Sequence, residues 1–88
     1  MAAEMLFDND RVRVTRVRHK PGEVRPPAAR NDRLIIYLTE GHVRRTEGGR
    51  SQEIRHRAGE VAWRDRSEHE IENLGETSQD VLIVEFKR

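Results

Sequence analysis

The chain has 88 residues and a net charge of +1, with 38% charged and 34% hydrophobic residues and no cysteine. This composition excludes disulfides, thiolate metal sites and cysteine nucleophiles. Met1–Phe7 is too short and too acidic to resemble a signal peptide, and no apolar run approaches the roughly 20 residues that span a bilayer, so we expect a cytoplasmic protein with no membrane partner. A chain this short buries only about 60–65% of its unfolded surface, so a thin core and a homodimer are expected.

The first half of the chain predicts short β-strands separated by Gly and Pro. Arg11–His19 begins in apolar alternation and then changes phase, which predicts a bulge near Thr15 and Arg16. Lys20–Ala29 contains three prolines and is expected to be irregular or an edge strand. Leu34–Leu38 is apolar at every position, so it is predicted to be the most buried strand, lying between two layers.

The second half continues the same pattern of strands and turns. Glu47–Arg50 contains two glycines and predicts a hairpin turn, from which a return strand runs to His56. Glu68–Leu74 alternates, with Glu70 and Glu72 on an acidic side, and Val81–Phe86 is predicted to close the sheet. The pattern predicts a single all-β domain over residues 1–88, whose residues 1–9 form an N-terminal extension that is a candidate for dimer contacts.

Charge is divided unevenly along the chain. Residues 11–57 contain thirteen Lys or Arg and five acids, whereas residues 58–86 contain two and eight. Because the basic residues mostly alternate with other types, we expect arginine-rich strands to pair with glutamate-rich strands on an outer face or across a dimer. No nucleic-acid-reading motif or interleaved aromatic pattern is present, so nucleic acid is not predicted as a partner.

The spacing of several glycines and polar residues resembles the small bacterial cupins. The first cupin motif fits without a gap from Gly22 to Gly41, and the second fits Gly59, His69 and Asn73 with one residue missing. Short segments also look like the single-domain cupins grouped with β-alanine degradation. The resemblance implies a small cupin-type jelly-roll barrel of two antiparallel sheets that holds a small molecule.

The positions that carry metal ligands in cupins are largely replaced here. Where the family has His, His and Glu, this chain has Ala28, Arg30 and Leu34, and of the usual ligands His69 remains. A methyl group, a permanent cation and an isobutyl group donate no electron pair to a metal. We therefore predict no metal and no cofactor.

A positive charge at Arg30 in place of a metal implies a small anionic ligand, of carboxylate type. In this interpretation Arg30 binds the anion, His69, Asn73 and Tyr37 supply hydrogen bonds, and Trp63 forms an aromatic wall. The alternative for Arg30 is an outward, solvated side chain, and for Tyr37 and Trp63 it is core packing. The leading prediction is a metal-free, non-catalytic or weakly catalytic protein that binds a small molecule.

Two other functions stay open at this point. A metal-dependent oxygenase, isomerase or lyase would need a site rebuilt from His19 and His69, and proton transfer would need His69 with Tyr37 or Glu40. A structural or protein-interaction module would have a filled barrel. The predicted filling residues are Leu34, Ile36, Leu38, Ile71 and Trp63.

Overall fold

A computed structural model describes residues 2–87, which form nine β-strands and no helix. The strands are β1 (Ala2–Asp8), β2 (Val12–His19), β3 (Val24–Arg30), β4 (Arg33–Tyr37), β5 (Gly41–Glu47), β6 (Arg50–His56), β7 (Val61–Arg64), β8 (Ser67–Asn73) and β9 (Gln79–Phe86). They form a five-stranded sheet in the order β1-β2-β9-β4-β7 and a four-stranded sheet in the order β3-β8-β5-β6. All strand pairs are antiparallel, which confirms the predicted all-β, two-sheet barrel. Within this part of the chain, no helix is long and apolar enough to cross a membrane.

Several local predictions are confirmed. The proline-rich segment forms the edge strand β3, and its register against β8 shifts between Arg25 and Ala28, where two prolines cannot donate ladder hydrogen bonds. The β5–β6 hairpin turns at Gly48 and Gly49, which have φ of 57° and 78°, a conformation that L side chains rarely adopt. The turn chemistry therefore fixed this hairpin.

Strand β2 differs from the prediction. It pairs with β9 in unbroken register from Val12 to His19, and the register shift lies instead in β1, between Met5 and Phe7. The apolar pattern changes phase because both faces of β2 carry apolar residues. Val17 and His19 are buried inside the barrel, whereas Val14 pairs with exposed Phe7 and lies on the outer face.

The prediction that Leu34–Leu38 lies buried between two layers is wrong. Side chains alternate along a strand, so β4 turns Arg33, Ile35 and Tyr37 into the barrel and leaves the intervening residues on the outer face. Leu34 is only half-buried, and Leu38 is 41% exposed. Leu38, Val61 and Trp63 are exposed on this outer face, so no second layer within residues 2–87 covers it.

Polar residues form much of the buried part of the molecule, mostly inside the barrel. Among residues 2–87, the buried hydrophobic residues are Val17, Tyr37, Val43 and Ile83. The buried polar or charged residues are His19, Arg33, His56, His69, Asn73, Gln79 and Asp80. Buried polar groups require partners, so an interior with this composition is suited to polar contacts more than to a dry core.

Opposite charges pair across neighbouring strands, as predicted. Arg44 Nη1 lies 3.1 Å from Glu72 Oε1, joining β5 to β8. Asp80 accepts from Arg18 Nε at 2.9 Å and from Arg16 Nη2 at 2.6 Å. These hydrogen bonds from Arg18 and Arg16 lower the pKa of Asp80 to about 2. The pairing accounts for only part of the arginine content, because other arginines lie inside the barrel.

Candidate functional site

A cavity of about 90 Å³ lies between the two sheets. Its lining combines aliphatic side chains with two histidines, a tyrosine and five arginines, and it includes no Asp or Glu among the described residues. The arginines are Arg25, Arg30, Arg33, Arg45 and Arg64. A cavity with this lining presents cationic donors to whatever occupies it.

Arg33 lies at the centre of this arginine group. It is 1% exposed and is one of the two largest fully buried side chains among residues 2–87. Its Nη1 donates to the carbonyl oxygens of Asn31 at 3.0 Å and Asp65 at 3.3 Å, and its Nη2 lies 3.4 Å from Ser67 Oγ. These neutral acceptors hold the guanidinium in place without neutralising its charge.

Burial and like charge act together on the arginines. Burial lowers the pKa of Arg33, and the neighbouring charges of Arg30, Arg45 and Arg64 lower it further. Burial, followed by the charges of Arg30 and Arg33, lowers the pKa of Arg25 to about 10. Arg25 stays cationic at neutral pH, because even a pKa of about 10 leaves a guanidinium group protonated.

A hydrogen-bond network joins the arginines to His69 through Ser67. Ser67 Oγ lies 3.3 Å from Arg45 Nη2, 3.4 Å from Arg33 Nη2 and 3.2 Å from His69 Nδ1. Because both guanidinium groups can only donate, the hydroxyl hydrogen is directed to His69 Nδ1, which leaves Nε2 as the protonated ring nitrogen. Burial, followed by the charges of Arg45, Arg33 and Arg30, lowers the pKa of His69 to about 4. His69 is therefore a neutral donor at pH 7.

Three of the five predicted ligand-binding residues line this cavity. Arg30, Tyr37 and His69 meet there, although they come from β3, β4 and β8. Arg30 thus points into the barrel and is not the outward, solvated side chain of the alternative interpretation. Its Nε is buried and has no hydrogen-bond partner among the described residues.

The other two predicted residues lie elsewhere. Trp63 is on the outer face, 50% exposed, with its Nε1 donating to Asp65 at 2.9 Å, so it forms no wall of the cavity. Asn73 is 1% exposed, but its amide donates to the carbonyls of His19 at 2.8 Å and Thr77 at 3.1 Å. Asn73 therefore ties the loop after β8 to the end of β2.

The interior does not fit a metal ion. Ala28 pairs directly with His69 across β3 and β8, but its methyl group carries no donor atom. Leu34 points outward, and the side chain that enters the barrel beside it is Arg33. Within residues 2–87, no group of three or more His, Asp or Glu side chains is arranged to hold a metal. His19 also lines the cavity, but five guanidinium groups around two imidazoles repel a divalent cation.

The opposite end of the barrel carries a second, open cleft. His56, the last residue of β6, is buried and stacks on Tyr37 with ring centroids 3.8 Å apart. Glu40 is exposed in this cleft and does not line the cavity that contains His69. His42 is half-buried, with its Nε2 3.7 Å from Glu53. Of the two acid–base pairs considered for catalysis, His69 and Glu40 are therefore not brought together, whereas His69 and Tyr37 both line the cavity.

Sequence reasoning missed most of the basic lining. It placed the apolar residues of β4 in the barrel and paired the arginines on the outside, so Arg33 and Arg45 were assigned to no site. Alternation along β4 was the available signal, because Arg33 shares a face with Ile35 and Tyr37. Arg64 lies opposite Arg33 only through the β4–β7 register, which the sequence does not display.

Comparison with known proteins supports the architecture. No protein-family model and no curated protein matches the sequence. A cupin domain from Bordetella pertussis Tohama I has a TM-score of 0.93 at 24% identity, over 99% of this chain and 93% of that one. An RmlC-like cupin from Methanocaldococcus jannaschii gives 0.79 at 16% identity, over 98% and 79%. A predicted oxalate decarboxylase from Thermotoga maritima gives 0.70 at 24% identity, over 93% and 76%. The resemblance to small cupins is thus confirmed for the fold.

Proposed function

We propose that this chain, which has the cupin fold, binds a small carboxylate-type anion inside its barrel without a metal. The observation that carries the proposal is the cavity of about 90 Å³ lined by five arginines and no acid among the described residues. Guanidinium groups form strong, often bidentate, hydrogen bonds with carboxylates. The unpartnered Nε atoms of Arg30 and Arg45 are donors that such an anion would satisfy.

The position of these charges favours a small ion over a polymer. The arginines of the cavity project between the sheets, where a carboxylate fits and a nucleic-acid backbone does not. Several outer arginines, such as Arg16, Arg18 and Arg44, are already paired with acids. We accordingly propose no nucleic-acid partner and a role in the cytoplasm, where small carboxylates are abundant.

Two functions compete with this proposal. A metal-dependent enzyme would need donor atoms that Ala28, Arg30 and Arg33 do not supply. A structural module with a filled barrel would need the large apolar side chains inside, yet Leu34 and Trp63 lie on the outer face. The interior therefore favours binding of an anion over either competitor.

The test pairs elemental analysis of protein purified without chelator with a thermal-shift screen of divalent metals and monocarboxylates. We expect no stoichiometric metal, and stabilisation by at least one carboxylate. The Arg30→Ala variant should abolish that stabilisation, whereas Arg57→Ala, which removes an exposed charge at the other end of the barrel, should retain it. One equivalent of metal per chain, or unchanged affinity in Arg30→Ala, would contradict the proposal.

We also propose that a second copy of the chain covers the outer face of the five-stranded sheet. The 10.3 kDa chain exposes 5761 Å², about 400 Å² more than a folded monomer of this mass is expected to expose. Exposed apolar residues concentrate on β1 and β7, including Phe7 at 53%, Val61 at 59% and Trp63 at 50%. A two-fold axis places such a patch against its own copy, so one apolar face supplies both sides of the interface.

A further inference from the structure

We infer that the preferred occupant of the cavity is a compact oxyanion carrying two negative charges, such as a short dicarboxylate or a tetrahedral dianion. This inference rests on the proposed anion site and specifies its ligand class. It follows from three separate properties of the cavity, namely its excess of charge, the direction of its hydrogen bonds and its size.

The net positive charge around the cavity is larger than a ligand with one negative charge can neutralise. Five guanidinium groups line the cavity. Within residues 2–87, two carboxylates oppose them: Glu85, whose charge acts on Arg25, Arg30 and Arg33, and Glu47, whose Oε1 lies 2.9 Å from Arg45 Nη1. Five positive charges and two negative charges leave an excess of three. A ligand with two negative charges relieves more of the mutual repulsion than a ligand with one.

The polar groups at the arginine end of the cavity are donors. Guanidinium groups have no acceptor atom, and the Ser67 hydroxyl is already engaged by Arg33, Arg45 and His69. The same network leaves His69 with a protonated Nε2. The Nε atoms of Arg30 and Arg45 have no partner within the described residues. A ligand that fits this end must present acceptors in several directions, as the oxygens of a deprotonated oxyanion do.

The size of the cavity limits the ligand to a few heavy atoms. A volume of about 90 Å³ is that of about three water molecules in the liquid. Drug-sized pockets are several times larger. Two negative charges held inside this volume must therefore lie within one small group or on two adjacent carboxylates.

Binding should be compared by calorimetry for two ligands of the same size, oxalate with two charges and oxamate with one. At pH 7.5 and constant ionic strength we expect oxalate to bind at least tenfold more tightly, since one added charge-assisted contact corresponds to about 10- to 100-fold in affinity. Sulfate is measured in the same way as the tetrahedral dianion. Tighter binding of sulfate than of oxalate would assign a tetrahedral dianion, and the reverse order would assign a dicarboxylate.

Substitutions test whether the arginines of the cavity cause the preference for oxalate over oxamate. Arg33→Met should reduce the oxalate-to-oxamate ratio to below threefold, and Arg64→Met provides the same test if loss of the Arg33 backbone contacts impairs folding. Arg57→Met, an exposed charge at the opposite end, should leave the ratio unchanged. Equal affinity for oxalate and oxamate would overturn the dianion inference while leaving the anion site intact. Failure of every anion to bind, monocarboxylates included, would overturn both.

Discussion

Replacement of Arg25 by methionine should stabilise the ligand-free protein while weakening its response to anions. Arg25 is half-buried, and burial together with the charges of Arg30 and Arg33 lowers its pKa from 12.5 to about 10. A lowered pKa in a basic group means that the folded state disfavours the cation, and the difference corresponds to about 3 kcal/mol at neutral pH. Methionine retains most of the aliphatic stem and removes the charge. We therefore expect the free energy of unfolding to rise by about 1–3 kcal/mol.

Thermal unfolding at pH 7.5, with and without a saturating anion, measures this prediction. For a domain of this size, each kcal/mol corresponds to a rise of about 4–8 °C in Tm. Ligand at 100 times its Kd stabilises the wild type by about 2.7 kcal/mol, and the variant should gain less because one cationic partner is missing. The Arg57→Met variant controls for the general loss of a positive charge and should change neither quantity by more than about 0.5 kcal/mol.

A lower Tm for the folded Arg25→Met variant without ligand would refute the reasoning. It would mean that Glu85, whose charge favours the Arg25 cation, already compensates the guanidinium in the free protein. A higher Tm together with an undiminished response to anions would place the bound anion away from Arg25. The two measurements therefore test the energetic cost of the charge and its role in binding separately.

Three further predictions address other parts of the molecule. Unfolded His69 binds a proton below pH 6.5, whereas the folded side chain does so near pH 4, so the free energy of unfolding should fall by up to about 3 kcal/mol as pH decreases through this window. Urea titrations at several pH values should show that the free energy of unfolding depends less steeply on pH in His69→Gln than in the wild type. Equal pH dependence in the two proteins would contradict the assignment. Gly41→Ala should lower the free energy of unfolding by about 1–3 kcal/mol, because the added Cβ would overlap Gln79 Oε1 and lie 2.5 Å from His56 Nε2. The side chains of Gln79 and His56 are both buried. An unchanged urea midpoint would show that these two side chains can move apart. Trp63→Ser should weaken self-association at least tenfold in sedimentation equilibrium, since exposed Trp often dominates an interface; a monomeric wild type would exclude the proposed dimer.

The sequence predicted the positions of strands and turns better than it predicted which side chains line the barrel. Pro and Gly positions located the edge strand β3 and the β5–β6 hairpin because these residues restrict or permit particular backbone conformations wherever they occur. The alternation of His69 with Glu70 and Glu72 identified the inner and outer faces of β8. Local chemistry is sufficient for such assignments.

The same local reasoning failed on β4 and β2. An all-apolar strand was assumed to lie between two layers of the chain, yet Leu34 and Leu38 lie on an outer face that no part of residues 2–87 covers. The phase change in β2 was assigned to a bulge, although Val14 and Val17 simply occupy two apolar faces. A hydrophobic pattern indicates that a side chain favours burial. It does not indicate whether the side chain is buried inside the barrel or on the outer face of a sheet.

By itself, the sequence determined the strand composition, the turns and the lack of cysteine, and it predicted that Ala28 and Arg30 stand in place of metal donors. The tertiary structure decided which charged side chains lie together around the cavity. Arg33 and Arg64 are 31 residues apart in the chain, and the β4–β7 register places them opposite each other. Electrostatic repulsion and shared hydrogen-bond partners depend on distances of a few ångströms, and pairing of distant strands sets those distances. The arginine-lined cavity is therefore a property of the closed barrel and of no single segment of the chain.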